Sequence, residues 1–296
     1  MNVDRLTLGL SRGERSGRFS GFGITTSSKW RISDICLLVI ILIINYPVYY
    51  QEPFQREFRL DDVTISHPHA QKESVNDIML FIYSFVIPVM VILVIWVLFA
   101  DPRHRYHLLY ISMLGLVFSW FSCSLFTNYI KNWVGRLRPD FLARCQPRVD
   151  IPEDRYYTID EVCTTEDYYT LLDGFRTTPS GHASESFAGL GYLYYWICGQ
   201  LLTEVKSTGL WRKTIAFAPL LIASLIALSR TQDYRHHFVD VVIGSVLGML
   251  FAHFIYRRYF PSISAEVPFK PLSDDSEVGL NIYSTVQEDI PTTPQV

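Results

Sequence analysis

Charged side chains are scarce in this sequence, and neither sign is in large excess. The 296 residues include 26 Lys and Arg and 29 Asp and Glu, which gives a formal net charge of −3. A strongly basic nucleic-acid-binding protein is therefore excluded, and no nucleic-acid partner is expected. Charged residues make up 19% of the chain, below the usual share of roughly 25%, so a chain that is disordered throughout is excluded as well.

The uncharged residues are concentrated in six apolar segments. Segments 78–100 and 108–130 each hold 23 residues without an acidic or basic side chain, and the other four hold 16 to 18. A helix that crosses a bilayer needs about 17–25 mostly apolar residues, so the shorter segments need flanking residues. Buried core helices of a soluble protein are the alternative, but such helices usually run about 8–20 residues. We predict an all-α, polytopic membrane protein with six transmembrane helices, at about 33–50, 78–100, 107–130, 183–203, 212–230 and 237–257.

The distribution of Lys and Arg predicts the orientation of this domain, which spans 32–260. The polar N-terminal tail, 1–31, has six cations, whereas the loop 52–77 has three. The positive-inside rule therefore places the N-terminal tail in the cytosol, and six spans return the C-terminus to the same side. The loop 131–178 is then lumenal or extracellular. Residues 261–296 hold six acids and one base, which predicts a disordered acidic cytosolic tail.

Three polar clusters lie beside the predicted spans. They are Lys131–Pro139 after the third span, Pro179–His182 before the fourth, and Ser229–Asp240 between the fifth and sixth. In the predicted topology all three lie at the non-cytosolic ends of the helices. We therefore expect one site at that end of the bundle.

The first cluster offers two cations, Lys131 and Arg138. Pro139 biases Arg138 away from helical backbone, so the chain can fold back and direct both side chains at one point. The planar guanidinium fork suits phosphate oxygens, while Lys acts as a point charge. The alternative is two long side chains that snorkel to the membrane interface.

The second cluster, Pro179-Ser180-Gly181-His182, is typical of a helix start. Pro suits the first position of a helix, and the first backbone N–H groups have no helical partner. With Gly181 allowing close approach, such a start binds phosphate, and His182 could transfer a proton near neutral pH. A simple turn and cap with an interfacial histidine is the alternative.

The third cluster contains Arg230, His236 and Asp240. His236 and Asp240 are four residues apart, which places them on one face if both are helical. The carboxylate could then fix the imidazole tautomer and leave the other ring nitrogen free to attack. A surface His–Asp pair is the alternative, and His237 is a rival nucleophile. The histidines lack a recognised metal-ligand spacing, so no metal and no cofactor is predicted.

Of the five cysteines, Cys145 and Cys163 share the long non-cytosolic loop. If that side is oxidising, a disulfide between them is plausible, and unpaired thiols are the alternative. Cys36, Cys123 and Cys198 lie in predicted spans, where a thiol packs like a small apolar group.

Together the clusters supply three cations, helix-start amides, a carboxylate and two histidines. This set suits phosphoryl transfer without an obligatory metal, because cations and amides stabilise the oxygens of the transferring group. One histidine would attack phosphorus and the other would protonate the leaving oxygen.

In order, the clusters read KxxxxxxRP, PSGH and SRxxxxxHxxxD. This pattern resembles the type 2 phosphatidic acid phosphatase (lipid phosphate phosphatase) superfamily. Longer stretches such as FTNYIKNWVGRLRPDFLARCQP and LSRTQDYRHHFVDV are similar to the fungal diacylglycerol pyrophosphate phosphatases. The resemblance covers about residues 30–272 and omits both tails.

The resemblance implies a six-span enzyme that removes phosphate from lipids without Mg²⁺. It implies that His236 is a nucleophile forming a phosphohistidine, that Asp240 orients it, and that His182 protonates the leaving group. The implied phosphate-binding set is Lys131, Arg138, Ser180, Gly181 and Arg230. No role beyond local charge is assigned to the neighbouring Arg136, Arg176, Asp233, Arg235 and His237.

The implied reactions convert diacylglycerol pyrophosphate to phosphatidate and phosphatidate to diacylglycerol. Lysophosphatidate and isoprenoid diphosphates are further implied substrates. The alternatives are dolichyl or sphingoid (di)phosphates, a soluble phosphate ester, or an inactive lipid-binding or transport homologue. The transmembrane layout argues against a vanadate-dependent peroxidase.

The expected partners are the bilayer and its phospholipids. Related enzymes suggest the vacuolar membrane, with the ER, Golgi and plasma membrane as alternatives, and the sequence does not indicate the oligomeric state.

Overall fold

The computed structural model describes residues 30–100 and 105–274, and most of these residues are helical. The predicted helical class is therefore confirmed. In chain order the helices are α1 Ile32–Tyr50, α2 Asp77–Phe99, α3 Arg105–Val134, α4 Phe141–Cys145, α5 Ile159–Val162, α6 Tyr168–Asp173, α7 Gly181–Gln200, α8 Leu210–Gln232 and α9 Phe238–Tyr259. A π-helical turn, Ile82–Val86, interrupts α2, and a short 3₁₀ helix covers Val63–Ile65. The strands are β1 Phe58–Arg59 and β2 Tyr156–Tyr157.

Five of the described helices are long and apolar enough to cross a membrane: α1, α2, α3, α8 and α9. Many of their large apolar side chains are exposed, among them Ile43, Val97, Leu225 and Phe254. Exposed apolar surface along long helices is expected where lipid tails, rather than water, surround the protein. The chain is accordingly a multi-pass membrane protein.

Helix α7, which was predicted as the fourth span, is not among these five. It is the central helix, and most of its side chains are buried against α3, α8 and α9. Its small and polar residues face neighbouring helices, and their polarity lowers the hydropathy of the segment. A hydropathy criterion therefore selects the helices that face lipid and passes over the helix that they enclose.

Helix α7 runs the length of the bundle beside α3 and α9. Near its start, Ser184 bonds Thr127 of α3 at 2.8 Å between the hydroxyl oxygens. Near its end, Nε1 of Trp196 donates to Oγ of Ser112 at 2.8 Å. On α9, a side-chain carbon at Gly248 would overlap the carbonyl oxygen of Ser184, so the backbones touch directly there.

The loops at one end of the bundle form a small folded unit. Strands β1 and β2 pair antiparallel, with Phe58 opposite Tyr157. Phe58 packs on Phe141, and Phe141 packs on Phe175, with ring centroids 4.8 and 4.9 Å apart. A disulfide between Cys145 and Cys163, with Cα atoms 4.7 Å apart, crosses the unit. The strand pair was not part of the predicted all-α architecture, because pairing between distant two-residue segments leaves no periodic pattern.

At the other end of the bundle, residues 261–274 pack against the membrane helices. The N–H of Leu272 donates to the carbonyl of Tyr259 at 2.9 Å, and Nε2 of Gln200 donates to the carbonyl of Phe269 at 3.0 Å. The predicted start of a disordered tail at 261 is therefore wrong, because Phe260 and Phe269 bury apolar rings there. The rest of that predicted tail, 275–296, and residues 1–29 of the N-terminal tail lie outside the described residues.

Candidate active site

The three polar clusters meet at one end of the bundle. They lie after α3, at the start of α7, and between α8 and α9. The N–H of Ser180 donates to the carbonyl of Asp240 at 3.0 Å, which joins the second cluster to the third. A side-chain carbon at Gly181 would lie 3.1 Å from Nζ of Lys131, so the second cluster also touches the first.

Helix α3 ends at Val134, before Arg138, as Pro139 predicts. The turn is made by Gly135, whose φ of 58° is in the left-handed region that favours glycine. A side chain at Gly135 would also overlap the carbonyl oxygen of Phe54. The chain can therefore reverse within a few residues and bring Arg138 back toward Lys131.

The guanidinium of Arg138 is buried and held by Asp173. Its Nε donates to the carbonyl of Asp173 at 2.9 Å, and its Nη2 donates to the carboxylate at 2.8 Å. Nη1 of Arg144 bonds the other carboxylate oxygen at 3.0 Å. Burial acts to raise the pKa of Asp173, but Arg138 and Arg144 outweigh it and lower that pKa to about 2. Asp173 therefore stays ionised and orients Arg138, which has five N–H donors in all.

Helix α7 begins at Gly181, with Ser180 as its N-cap. The Ser180 hydroxyl accepts from the N–H of Ala183 at 3.4 Å. Pro179 was predicted at the first helical position, but it lies one residue before the cap, because serine satisfies the helix start better. The N–H groups of Gly181 and His182, in the first turn, lack helical acceptors, and Gly181 lies beside Lys131.

His236 is buried, 4% exposed, and its ring is held by a backbone carbonyl. Its Nδ1 donates to the carbonyl of Thr177 at 2.7 Å. The predicted direct contact with Asp240 is wrong: the Asp240 carboxylate accepts from Oγ1 of Thr177 at 2.8 Å and from the N–H of His237 at 2.9 Å. The four-residue spacing holds within a helix, but α9 begins only at Phe238.

This arrangement fixes the tautomer of His236. A carbonyl can only accept, so Nδ1 carries the proton and Nε2 keeps a lone pair. Burial, followed by the positive charges of Arg138 and Lys131, lowers the pKa of His236 well below its usual value. The imidazole is therefore neutral near pH 7, which is the form that can act as a nucleophile.

Asp240 is fully buried and collects several donors. Besides Thr177 and His237, it accepts from Nη1 of Arg136 at 2.9 Å and from Oγ1 of Thr178 at 2.5 Å. It therefore fixes the Thr177–Thr178 segment, and through the Thr177 carbonyl it positions His236. No motif in the sequence marks Thr177 or Thr178, so neither was predicted as part of the site.

His182 faces the loop that precedes α2. Its Nε2 donates to the carbonyl of Val75 at 3.0 Å, and the Asp77 carboxylate lies 3.8 Å away. The carbonyl of Val75 therefore directs its ring, and no motif in the sequence marks Val75. The loop therefore forms one wall of the site.

Arg230 is 1% exposed and lies between two acidic side chains. Its Nη1 donates to Glu73 and its Nη2 to Asp233, each at 2.8 Å. Glu73 was not singled out from the sequence, and Asp233 was treated as local charge. These ion pairs orient a buried guanidinium toward the same wall as His182.

His237, the rival nucleophile, caps α9 and is tied elsewhere. Its Nε2 donates to the carbonyl of Leu137 at 3.2 Å, and burial followed by Arg136 lowers its pKa.

Among the described residues, no group of three or more His, Cys, Asp and Glu side chains is arranged to hold a metal ion.

The chain matches the model of the PAP2 superfamily over residues 112–264. It is 63% identical over 260 residues to diacylglycerol pyrophosphate phosphatase 1 of Saccharomyces cerevisiae, covering 88% of this chain and 90% of the relative. It is 39% identical to "Probable diacylglycerol pyrophosphate phosphatase 1" of Schizosaccharomyces pombe, covering 79% and 83%. It is 32% identical to lipid phosphate phosphatase 2 of Arabidopsis thaliana, covering 80% and 79%. No solved structure matches the chain.

The membrane helices, the three clusters and these matches all indicate the same family. The chain belongs to the PAP2 superfamily, and the clusters at 131–139, 179–182 and 229–240 all fall within the matched region.

Proposed function

We propose that this chain hydrolyses diacylglycerol pyrophosphate to phosphatidate, and phosphatidate to diacylglycerol, through a phosphohistidine on His236. The chain is a phosphoric ester and anhydride hydrolase of the lipid phosphate phosphatase kind. The substrate proposal rests on the name of the relative from Saccharomyces cerevisiae, which is similar over most of both chains. The observation that carries the mechanism is the neutral, buried imidazole of His236 beside the positive charges of Lys131 and Arg138.

In the proposed first step, Nε2 of His236 attacks the terminal phosphorus of the lipid. The bond from phosphorus to the leaving oxygen breaks, and that oxygen takes a proton from the imidazolium form of His182, which the negative charge of the bound phosphate favours. The developing charge on the transferring group is stabilised by Lys131, Arg138, Arg230 and the amides at the start of α7. His236 is left carrying the phosphoryl group.

In the second step, water replaces His236 on phosphorus. His182, now without its proton, accepts one from the attacking water, and inorganic phosphate leaves with Nε2 of His236 restored. The Thr177 carbonyl holds Nδ1 throughout, at 2.7 Å in the structure. Because three cationic side chains balance the phosphate charge, we propose that the reaction needs no Mg²⁺.

We also propose that α7 crosses the membrane as a sixth span, with the site at the non-cytosolic side. Twenty helical residues extend about 30 Å, which matches the apolar thickness of a bilayer. Helix α7 contacts α3 at Ser184 and Trp196, and it contacts α9 at Ser184 and Gly199, so both ends of α7 pack against these helices. An even number of spans would place both termini in the cytosol, as the Lys and Arg distribution predicts. The vacuolar membrane is the proposed compartment, from the resemblance alone.

A phosphate-release assay across a lipid panel tests the proposed substrate. Purified protein in detergent with EDTA receives diacylglycerol pyrophosphate, phosphatidate, lysophosphatidate, an isoprenoid diphosphate, a sphingoid phosphate and a soluble sugar phosphate. We expect release from the first two without Mg²⁺, with the highest kcat/KM for the diphosphate. Release from the soluble ester alone, or activity that requires added Mg²⁺, would contradict the proposal, and no release from any substrate would favour an inactive homologue.

A further inference from the structure

Residues 67–76 form a strap across the outer side of the site, between the 3₁₀ helix and α2. The strap is tied to the turn between α8 and α9. The N–H and hydroxyl of Ser74 both donate to Asp233, at 2.8 and 2.6 Å, and the ring of His67 stacks on Tyr234 with centroids 4.5 Å apart. The strap therefore covers the anion-binding residues with side chains of its own.

One strap side chain, Glu73, joins two buried arginines. Its Oε2 accepts from Nη1 of Arg230 at 2.8 Å, and its Oε1 lies 3.0 Å from Nη2 of Arg235. The two arginine side chains are 1% and 10% exposed, whereas Glu73 is 29% exposed. A carboxylate held between two guanidiniums marks a position where both can bind anionic oxygens at once. Glu73 is the more accessible member and so the one that can withdraw.

We propose that Arg235 determines the preference for a diphosphate over a monophosphate headgroup, and that a bound lipid diphosphate takes the place of the Glu73 carboxylate. The terminal phosphate binds Arg230 with Lys131 and Arg138, and the second phosphate binds Arg235. This inference rests on the proposed function, since it assumes that the site transfers the terminal phosphoryl group of a lipid.

The position of His182 places the second phosphate on the strap side. The acid that protonates a leaving oxygen must lie beside the leaving group, opposite the nucleophile. Nε2 of His182 faces the strap, 3.0 Å from the carbonyl of Val75. When a lipid diphosphate reacts, the leaving group is itself a phosphate ester, so its charge develops next to the strap and within reach of Arg235.

The strap side also offers spare donors and space. Nε of Arg235 is buried with no hydrogen-bond partner in the described part of the chain. A recess of about 690 Å³ adjoins it, lined in part by Lys72, Glu73 and Asn76. Nη1 of Arg235 lies 3.6 Å from the buried Asp140 carboxylate, which keeps the guanidinium in place when Glu73 withdraws. Lys72 supplies a second cation to the recess.

A monophosphate lipid gains much less from Arg235. Its one phosphate binds the Arg230 side of the site, and its leaving group is an uncharged glycerol oxygen once protonated by His182. Only the diphosphate has two anionic groups, one for Arg230 and one for Arg235, the two arginines that Glu73 joins in the structure. The ratio of kcat/KM for the two lipids therefore reports the role of Arg235.

The test compares Arg235→Gln with wild type on diacylglycerol pyrophosphate and phosphatidate in mixed micelles. Loss of a charged hydrogen-bond donor to phosphate lowers binding roughly tenfold or more. We expect the ratio of kcat/KM, diphosphate over monophosphate, to fall by about that factor. Arg148→Gln, an exposed arginine of the small folded unit at the same end of the bundle, is the matched control and leaves the ratio unchanged.

An equal fall for both lipids, or no fall for either, would overturn the role of Arg235, since it would then only support the fold or contribute nothing. Wild-type protein without activity on any lipid phosphate would instead reject the proposed function. The two failures are therefore distinguishable in one data set.

A second variant, Glu73→Gln, tests the displacement. Inorganic pyrophosphate and inorganic phosphate serve as competitive inhibitors. Without the competing carboxylate, we expect pyrophosphate to inhibit several-fold more strongly in Glu73→Gln and roughly tenfold more weakly in Arg235→Gln, with smaller changes for phosphate. Unchanged pyrophosphate inhibition in both variants contradicts the inference. A change with inorganic pyrophosphate but not with the lipid pair would overturn the assignment to a lipid headgroup.

Discussion

At the scale of single residues, the state of His236 follows from its surroundings. The imidazole is buried, its Nδ1 is bonded to a carbonyl, and Arg138 and Lys131 add positive charge nearby. Burial and the two positive charges disfavour the imidazolium form and lower the pKa of His236. The bond from Nδ1 to the Thr177 carbonyl favours imidazolium, but its effect is the smaller one. The imidazole is therefore neutral before substrate arrives, which is the form that the proposed nucleophilic attack needs.

This state predicts the acid limb of the pH profile. A histidine usually has a pKa of about 6.5, and the folded value for His236 is lowered, so the neutral form persists below that pH. We expect kcat/KM, corrected for ionisation of the substrate phosphate, to fall only below about pH 6.5. The measurement is kcat/KM against pH with a substrate titrated separately. An acid limb centred at or above the usual histidine value would contradict a buried neutral nucleophile.

Thr177 predicts a second residue-scale effect. Its hydroxyl donates to Asp240 at 2.8 Å, and its carbonyl holds His236. Thr177→Val keeps the shape but leaves the buried Asp240 short of a donor, so the carbonyl loses its anchor. We expect kcat to fall roughly tenfold or more, with a smaller change in KM. Thr177→Ser keeps the hydroxyl and should retain most of kcat; equal losses in both variants would argue against this role.

The three sequence motifs predict which residues come together at the candidate site, but they do not predict the hydrogen bonds between those residues. Lys131, Gly181 and Asp240 come together from separate clusters. The hydrogen-bond partner of His236 could not be predicted, because it is a backbone carbonyl, and every residue type carries one. The spacing of His236 and Asp240 was misleading, since it assumed a helix that begins two residues later.

At the scale of elements, α7 shows that hydropathy does not identify a helix that is enclosed by other helices. Apolar runs predict helices that face lipid, and α1 and α2 are clear cases because few of their side chains are buried within the protein. Helix α7 is enclosed by α3, α8 and α9, so its polar residues bond neighbours, as Ser184 bonds Thr127. Its location depends on contacts between helices that lie far apart in sequence.

Close contact of α7 with α9 predicts a sensitive position at Gly248. A side chain there would overlap the backbone of Ser184, so Gly248→Val must force the helices apart. We expect a fall in the thermal midpoint in detergent of several degrees, together with loss of activity. Val246→Leu, on the lipid-facing side of α9, is the control and should leave the midpoint unchanged. A Gly248→Val protein as stable as wild type would contradict this packing.

At the scale of the whole molecule, the loops complete a site that the helices begin. The helices supply Lys131 and the start of α7, while the small folded unit of the loops supplies Asp173 and the strap supplies Glu73. The approximate helix positions, and the meeting of the three clusters at one end of the bundle, could be predicted from the sequence. The strap contacts could not, because they join residues about 160 positions apart, such as Ser74 and Asp233.

The covalent intermediate on His236 is the central claim, and trapping it is the most direct test. Protein is mixed with lipid labelled at the terminal phosphate, quenched in alkali, which preserves phosphohistidine, and separated from lipid. We expect transient label on wild type and on His237→Ala, longer-lived label on His182→Ala, and none on His236→Ala that is folded and present in membranes. Label of wild-type amount on His236→Ala, or its loss only in His237→Ala, would contradict the proposed mechanism.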